Sequence, residues 1–291
     1  MTTGTVERTS PATLLRLGRI SNLPTVWTNV LAGAVLSGGE WRSWRLGVVL
    51  LAMSLFYVGG MYLNDYFDRA IDARERPERP IPAGAVSPGA VAAIGFGLLG
   101  AGLLAAALTG WTAAGLAALL GGAVIAYDLH HKANPWAPVV MGLCRALVYC
   151  AAAAAVSGSV ALPVVAAAAA MGAYVAGLTY AARQESLDKV GNLWPLLLLA
   201  APMVLALGVL QRGVGAIAIY LLPVAATAFA VYLLARRPGA GAVSRAVALL
   251  IAAISLADAA MLAGFGAVGS ALAAIVGFPA TLAAQKYIAG T

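Results

Sequence analysis

Long apolar runs alternate with short polar ones along the whole chain. The apolar runs fall at roughly 20–37, 46–67, 89–108, 111–127, 138–158, 161–182, 193–210, 214–234, 243–264 and 268–286. Each approaches the ~20 residues that a helix needs to cross a bilayer. They are rich in Ala and Leu, and none alternates with the period of two that a membrane strand requires. The pattern predicts an all-α, polytopic membrane bundle of ten segments, give or take one. The last two runs, or the pair flanking Gly110, are the candidates for partial re-entry.

Composition strengthens that reading. The 291 residues are 62% hydrophobic and 10% charged, with mean hydropathy +0.90. A soluble domain carries about 25% charged residues, and no water-facing core could hide this much apolar sequence. The net charge of +7 does not point to nucleic acid, because the basic residues concentrate in short loops. There they set topology and meet anionic lipid. Thirteen Lys and Arg lie in the N-terminal stretch and in the loops after the second, fourth, sixth and eighth runs. Only Arg42, Arg45 and Arg212 lie in loops on the opposite side. This asymmetry places the N-terminus and the polar loops on the cytoplasmic face, in a bacterial cytoplasmic membrane. Met1 to Arg19 contains no apolar core of a signal peptide, so no cleaved leader is expected. Cys144 and Cys150 share one apolar run, and neither a disulfide nor a metal site is expected of them. Gly59-Gly60 and Gly121-Gly122 read as sites of close helix packing. No linker or internal repeat divides the chain, so residues 1–291 read as one domain.

Chemistry is concentrated at the end of the second run. Leu46 to Leu63 carries no charge, and then Asn64, Asp65, Asp68, Asp72, Glu75 and Glu78 follow, including five of the eleven acidic residues. Carboxylates at the end of a membrane-length helix are costly and point to chemistry rather than packing. Asn64, Asp68 and Asp72 recur every fourth residue, so on a helix they form one column of oxygen ligands. Such ligands suit a hard cation such as Mg²⁺, which keeps several waters and bridges to substrate phosphates. Arg74, Arg76 and Arg79, interleaved with prolines, could reach a diphosphate from a stiffened loop. The plain alternative is a solvated helix end with local ion pairs.

The run NDYFDRAIDARERPERPIPAG, Asn64 to Gly84, resembles the UbiA family of intramembrane prenyltransferases, of the 4-hydroxybenzoate polyprenyltransferase type. The resemblance extends to Arg16–Gly33 and to Lys132 with Gly142–Leu147, and weakens after about residue 150. It implies a helical bundle, usually of nine membrane helices, around a central cavity open to the cytoplasm and laterally to lipid. It also implies transfer of an isoprenyl group from an allylic diphosphate, with Mg²⁺ held by two Asp-rich motifs. On that basis Asn64, Asp68 and Asp72 are metal ligands, Asp65 supports them, and Arg79 and Lys132 contact the diphosphate. The family's second motif is altered here. The nearest spacing match is Gln184 with Asp188, and the nearest acid pair is Glu185 with Asp188. Glu185 and Asp188 are therefore either a weakened second metal site, with Tyr180 and Arg183 beside it, or ordinary charges at a helix end.

Two further positions carry open alternatives. Arg145 lies inside the fifth run with Tyr149 one turn on, and an arginine at that depth needs an anion. The anion is either an internal acid, Asp258 or Asp128, or the diphosphate or a carboxylate on the acceptor. Asn134 either helps bind diphosphate or makes the turn before Pro135. His130 and His131 read as loop histidines. The expected function is Mg²⁺-assisted transfer of a prenyl or polyprenyl group from its diphosphate to a lipophilic, aromatic acceptor within membrane lipid, without nucleic acid. The alternative is a protein that keeps the fold as a lipid binder or transporter.

Overall fold

The computed structural model describes residues 10–39, 42–132, 134–183 and 192–290. Among these residues all regular structure is helical. A short helix α1 (Pro11–Leu17) and a 3-10 turn lead into α2 (Leu23–Leu36). The long helices α3 (Trp44–Glu75), α4 (Pro88–Ala107), α5 (Trp111–His130), α6 (Ala137–Ser157) and α7 (Leu162–Ala182) follow. The stretch from Trp194 to Gln211 is a 3-10 segment, a short α8 (Ala201–Leu205) and a second 3-10 segment. Then come α9 (Val214–Arg236), α10 (Ala242–Gly264), α11 (Val268–Ile275) and α12 (Gly277–Gln285).

Nine of these helical stretches are long and apolar enough to cross a membrane among the described residues. They match nine of the ten predicted runs. The tenth, at 20–37, is the 14-residue α2 with its preceding 3-10 turn, too short to count by the same measure. The pair around Gly110 is a tight turn between two 20-residue helices, not a re-entrant loop. Irregularity sits elsewhere: the 268–286 run is broken at Val276, and the 194–211 run is largely 3-10.

Small residues let backbones approach at several helix contacts. A Cβ on Gly59 would stand 2.9 Å from the carbonyl oxygen of Gly95, so α3 and α4 touch backbone to backbone. Gly142 and Gly172 do the same for α6 and α7. In lipid, where apolar side chains gain little by leaving one environment for another, such contacts are what hold helices together. α10 lies at the centre: 89% of its most apolar window is buried, against 22% for α5 and for the broken last span. The ends of the chain also meet, since Asn22 donates to the carbonyl of Gly290 at 2.9 Å and accepts from Gln285 at 3.1 Å.

α3 decides where the chemistry sits. Its 32 residues make a helix about 48 Å long, well beyond the ~30 Å hydrocarbon core. The apolar part, Trp44 to Leu63, accounts for about 30 Å of it. Asn64 to Glu75 therefore continues as helix past the membrane interior.

Candidate active site

The polar end of α3 is not a solvated helix end. Asn64, Asp65, Asp68 and Asp72 are only 8%, 6%, 5% and 3% exposed. Four buried oxygen-bearing side chains need partners, and cations supply most of them. Asp68 is flanked by His131 Nε2 at 3.3 Å and Lys132 Nζ at 3.4 Å, both from the end of α5 and its following turn. Asp65 pairs with Arg19 at 3.2 Å and with Arg79 at 3.0 Å. Arg79 also reaches Asp72 at 3.3 Å, so one guanidinium bridges two carboxylates two turns apart on one face of α3. The turn after α3 brings Arg79 back over the helix that precedes it, with Arg79 N–H bonded to the Arg76 carbonyl.

Asn64 points the other way. Its amide donates to Asp128 Oδ1 at 3.3 Å, while Asp128 Oδ2 is buried with no hydrogen-bond partner. A buried, unpartnered carboxylate oxygen is costly to leave in place. With its amide nitrogen turned to Asp128, Asn64 keeps its carbonyl oxygen for another ligand. The donors Asn64, Asp68, Asp72 and Asp128 are all oxygen and lie at one end of two adjacent helices, which fits Mg²⁺. Among the described residues no three acidic or His side chains already close around a point. The remaining positions of a Mg²⁺ shell would thus come from water and substrate oxygens, as is usual for this ion.

Two cavities meet at this place. A polar cavity of about 260 Å³ is lined by Asn64 and Asp68 and by Arg19, Arg76, Arg79, Lys132, Arg145 and Arg183. Six cations against one carboxylate make it a receptor for a multiply charged anion. A narrow apolar cavity of about 90 Å³ continues inward between Val26, Phe56, Leu120 and Val148. Tyr57, Met61, Tyr127, Met141 and Arg145 line both, and so mark the junction between them.

The predicted residues fall into three groups. Asn64, Asp68, Arg79, Lys132, Arg145 and Arg183 are brought to the polar cavity. Asp65 and Asp72 are buried beside it and held by Arg79, and Asp65 faces a second basic cleft with Arg16 and Glu78. Asn134 and Tyr149 line neither cavity. The Asn134 side chain accepts from the Trp136 amide at 2.9 Å and makes the turn before Pro135 and α6. Tyr149 is fully buried and its hydroxyl donates to Asp258. Arg183, besides lining the cavity, ties down the loop after α5 through the carbonyls of Asn134 at 2.9 Å and Lys132 at 3.2 Å. Glu185 and Asp188, the altered second motif, lie outside the described residues. Cys144 and Cys150 are free thiols.

Sequence reasoning missed three contributors. His131 does lie in the turn after α5, but it is buried, stacked on Tyr127 at 4.9 Å and in contact with Asp68. Asp128 was legible only as a possible arginine partner, and Arg19 only as a topology signal. For Asp128 and His131 the available signal was a charge and two imidazoles at the C-terminal end of a span, three residues apart.

Comparison with known proteins identifies the family and the fold. The sequence profile of the UbiA prenyltransferase family matches residues 25–242. The chain is 42% identical over 76 residues to the digeranylgeranylglyceryl phosphate synthase of Methanothrix thermoacetophila, covering 26% of this chain and 28% of that protein. It is 33% identical over 122 residues to the enzyme of the same name from Natronomonas pharaonis, covering 42% and 44%. The matched stretch thus spans less than half the length of either relative. A solved UbiA homologue from Aeropyrum pernix K1 superposes with TM-score 0.65 at 21% identity, over 84% of this chain and 96% of that one. A homologue from Archaeoglobus fulgidus, bound to GPP and Mg²⁺, gives 0.63 at 14% identity over 88% and 99%. At such identities the superpositions speak for the fold, while the profile covers about three quarters of the sequence. The chain belongs to the UbiA prenyltransferase family.

Proposed function

We propose that this protein moves a prenyl group from an allylic diphosphate to a lipophilic acceptor, with Mg²⁺ assisting departure of the diphosphate. The observation that carries the reading is the junction of a strongly cationic cavity with an apolar one. That shape matches a molecule with a diphosphate head and a hydrocarbon tail. When bound, Mg²⁺ offsets the negative charge that develops on the leaving diphosphate.

Asn64, Asp68 and Asp128 would hold the cation, with Asp72 one turn further along α3. Lys132, Arg79 and Arg183 take the outer diphosphate oxygens as charge-assisted hydrogen bonds. Arg79 must then give up part of its hold on Asp65 and Asp72. Tyr57 and Tyr127 stand at the junction, where the reacting allylic carbon comes to lie. Their ring faces favour positive charge developing there. The apolar lining beyond them limits water, the competing nucleophile. The bond from that carbon to the diphosphate oxygen breaks with its electron pair leaving on the diphosphate, and the acceptor forms the new bond and gives up a proton.

The acceptor need not be aromatic. The relatives named above are glyceryl phosphate lipid synthases, and a lipid acceptor fits the same junction. The polar cavity opens to the cytoplasmic face, by the loop charges, of whichever cell membrane houses the protein. Those named relatives are archaeal and leave that cell unspecified.

The test is transfer by purified protein in detergent with Mg²⁺. Labelled allylic diphosphates of several chain lengths are offered with phenolic and glyceryl phosphate acceptors, and the extracted lipid is counted. Label is expected to pass to at least one acceptor. Tight donor binding with neither diphosphate release nor transfer would instead indicate a lipid binder that has kept the fold.

A further inference from the structure

We infer that inorganic diphosphate leaves the active site through the second basic cleft, passed from the polar cavity by Arg19 and Arg79 toward Arg16. This rests on the prenyl-transfer reading above.

Transfer splits the donor into two parts of opposite solubility. The prenyl group stays with a lipid product, while the diphosphate is a small, multiply charged anion that must reach water. The cleft has a volume of about 420 Å³ and is walled by α1, the turn after α3 and the stretch that follows α12. Arg16, Glu78 and Tyr287 on its wall are exposed, so it opens to solvent. Its two charged rims belong to the segments that the loop charges assign to the cytoplasm.

Two guanidinium groups belong to both spaces. Arg19 and Arg79 line the polar cavity and the cleft alike. Both bond the same oxygen, Asp65 Oδ1, at 3.2 and 3.0 Å. Asp65 lines the cleft but not the polar cavity. This part of the partition is therefore a pair of ion pairs rather than packed apolar side chains. An anion in the polar cavity draws Arg79 off Asp65, and the return of Arg79 to Asp65 releases that anion on the cleft side. Each state keeps charge-assisted hydrogen bonds, so the exchange leaves no guanidinium bare. Arg19 is held for this place. Its backbone is left-handed, with φ 41° and ψ 46°, a region few non-glycine residues occupy. Its carbonyl accepts from the Tyr57 hydroxyl at 3.2 Å. Another part of the partition is backbone: Asn22 and Gly290, bonded at 2.9 Å, line the polar cavity, and Tyr287 to Ala289 line the cleft.

The charge balance suits passage. Arg16 makes no ion pair among the described residues. The cleft sets Arg16, Arg19 and Arg79 against Asp65 and Glu78, so it attracts an anion without holding it firmly. A route needs that weakness, because binding must favour entry and still permit departure. The polar cavity, with its large excess of cations, is built to hold.

The experiment loads the full-length protein, in detergent with Mg²⁺, with labelled inorganic diphosphate. The time course of loading gives the association rate, and a chase with unlabelled diphosphate gives the dissociation rate. A residue on the route changes both rates by one factor and leaves Kd alone, whereas a residue of the binding site changes Kd. Arg16→Gln is expected to slow both rates by about 3- to 10-fold. Kd for diphosphate and affinity for the allylic diphosphate should stay as they were. Arg16→Lys, which keeps the charge, should restore most of both rates. Glu78→Gln, which makes the cleft more cationic, should raise both. Unchanged rates in Arg16→Gln and Glu78→Gln overturn the proposal and send the diphosphate out by another opening. A shift in Kd without matching changes in both rates overturns it too. Absence of any diphosphate binding by the unaltered protein is a separate result: it counts against the prenyl-transfer reading itself and takes the exit with it.

Discussion

Asp68 lies between His131 and Lys132, and Asp128 lies against Asn64 with one oxygen unmatched. The two carboxylates therefore have different work. Asp68 already has positive partners, one of which it would have to exchange for a metal under the proposed function. Asp128 has a vacant oxygen and fixes the orientation of the Asn64 amide. Asp128→Asn is expected to weaken Mn²⁺ binding by about 10- to 100-fold, the usual effect of removing a group that orients a metal ligand. Paramagnetic titration of the purified protein with Mn²⁺ and inorganic diphosphate reads this directly, without turnover. Unchanged Mn²⁺ affinity would remove Asp128 from the metal set. The column Asn64, Asp68, Asp72 was legible because its spacing is a property of one helix. Asp128 and His131 were not, because their value arises only when α5 is laid against α3, more than sixty residues later in the chain. The same holds for Asn29 and Asp258, where 229 residues separate the partners.

At the level of elements, the length of α3 is the decisive feature. Its apolar two thirds is long enough to span the membrane and its polar third carries the buried carboxylates, all on one unbroken helix. That rigid connection keeps the proposed ligand column in register with the apolar cavity. Glycines set that register from the side. A side chain at Gly142 would run into the backbone carbonyl of Gly172, which cannot move without shifting α7. Gly142→Val is expected to destabilise the protein by about 1–3 kcal/mol, seen as a lower melting temperature in detergent. Gly122, with open space around it, should tolerate the same change without effect. The contrast corrects the plain reading of every Gly-Gly pair as a packing site: Gly121 meets Phe56, and Gly122 meets nothing. Helix boundaries were mostly legible from the apolar runs. The 3-10 character of 194–211 and the break at Val276 were not, since neither alters the hydropathy pattern that marked those runs.

On the scale of the whole molecule, charge and geometry point the same way. The loops that supply Arg79, Lys132 and Arg183 are those assigned to the cytoplasm by their Lys and Arg content, and their side chains converge on one cavity. In a variant with Cys144 and Cys150 replaced by Ser, Ala83→Cys is expected to react with a membrane-impermeant maleimide only after the cytoplasmic face is opened. Ser159→Cys, in the exposed turn between α6 and α7, should react in intact cells. The reverse pattern would invert the orientation. Fold class and membrane setting followed from the sequence because hydropathy is additive along a chain. The buried polar network of Arg145, Asn29 and Asp258 did not, because it is assembled from α2, α6 and α10, which are far apart in sequence.

The central claim is that the polar end of α3 uses Mg²⁺ to release diphosphate from an allylic donor. Its most direct measurement is the rate of diphosphate release from a labelled allylic diphosphate, with Mg²⁺ or with chelator, by the unaltered protein and by Asp68→Asn. Release is expected to require Mg²⁺ and to fall by about 10²–10³-fold in Asp68→Asn, the scale of losing one preorganised group that stabilises developing charge. Release that persists in chelator, or that proceeds equally in Asp68→Asn, would contradict it.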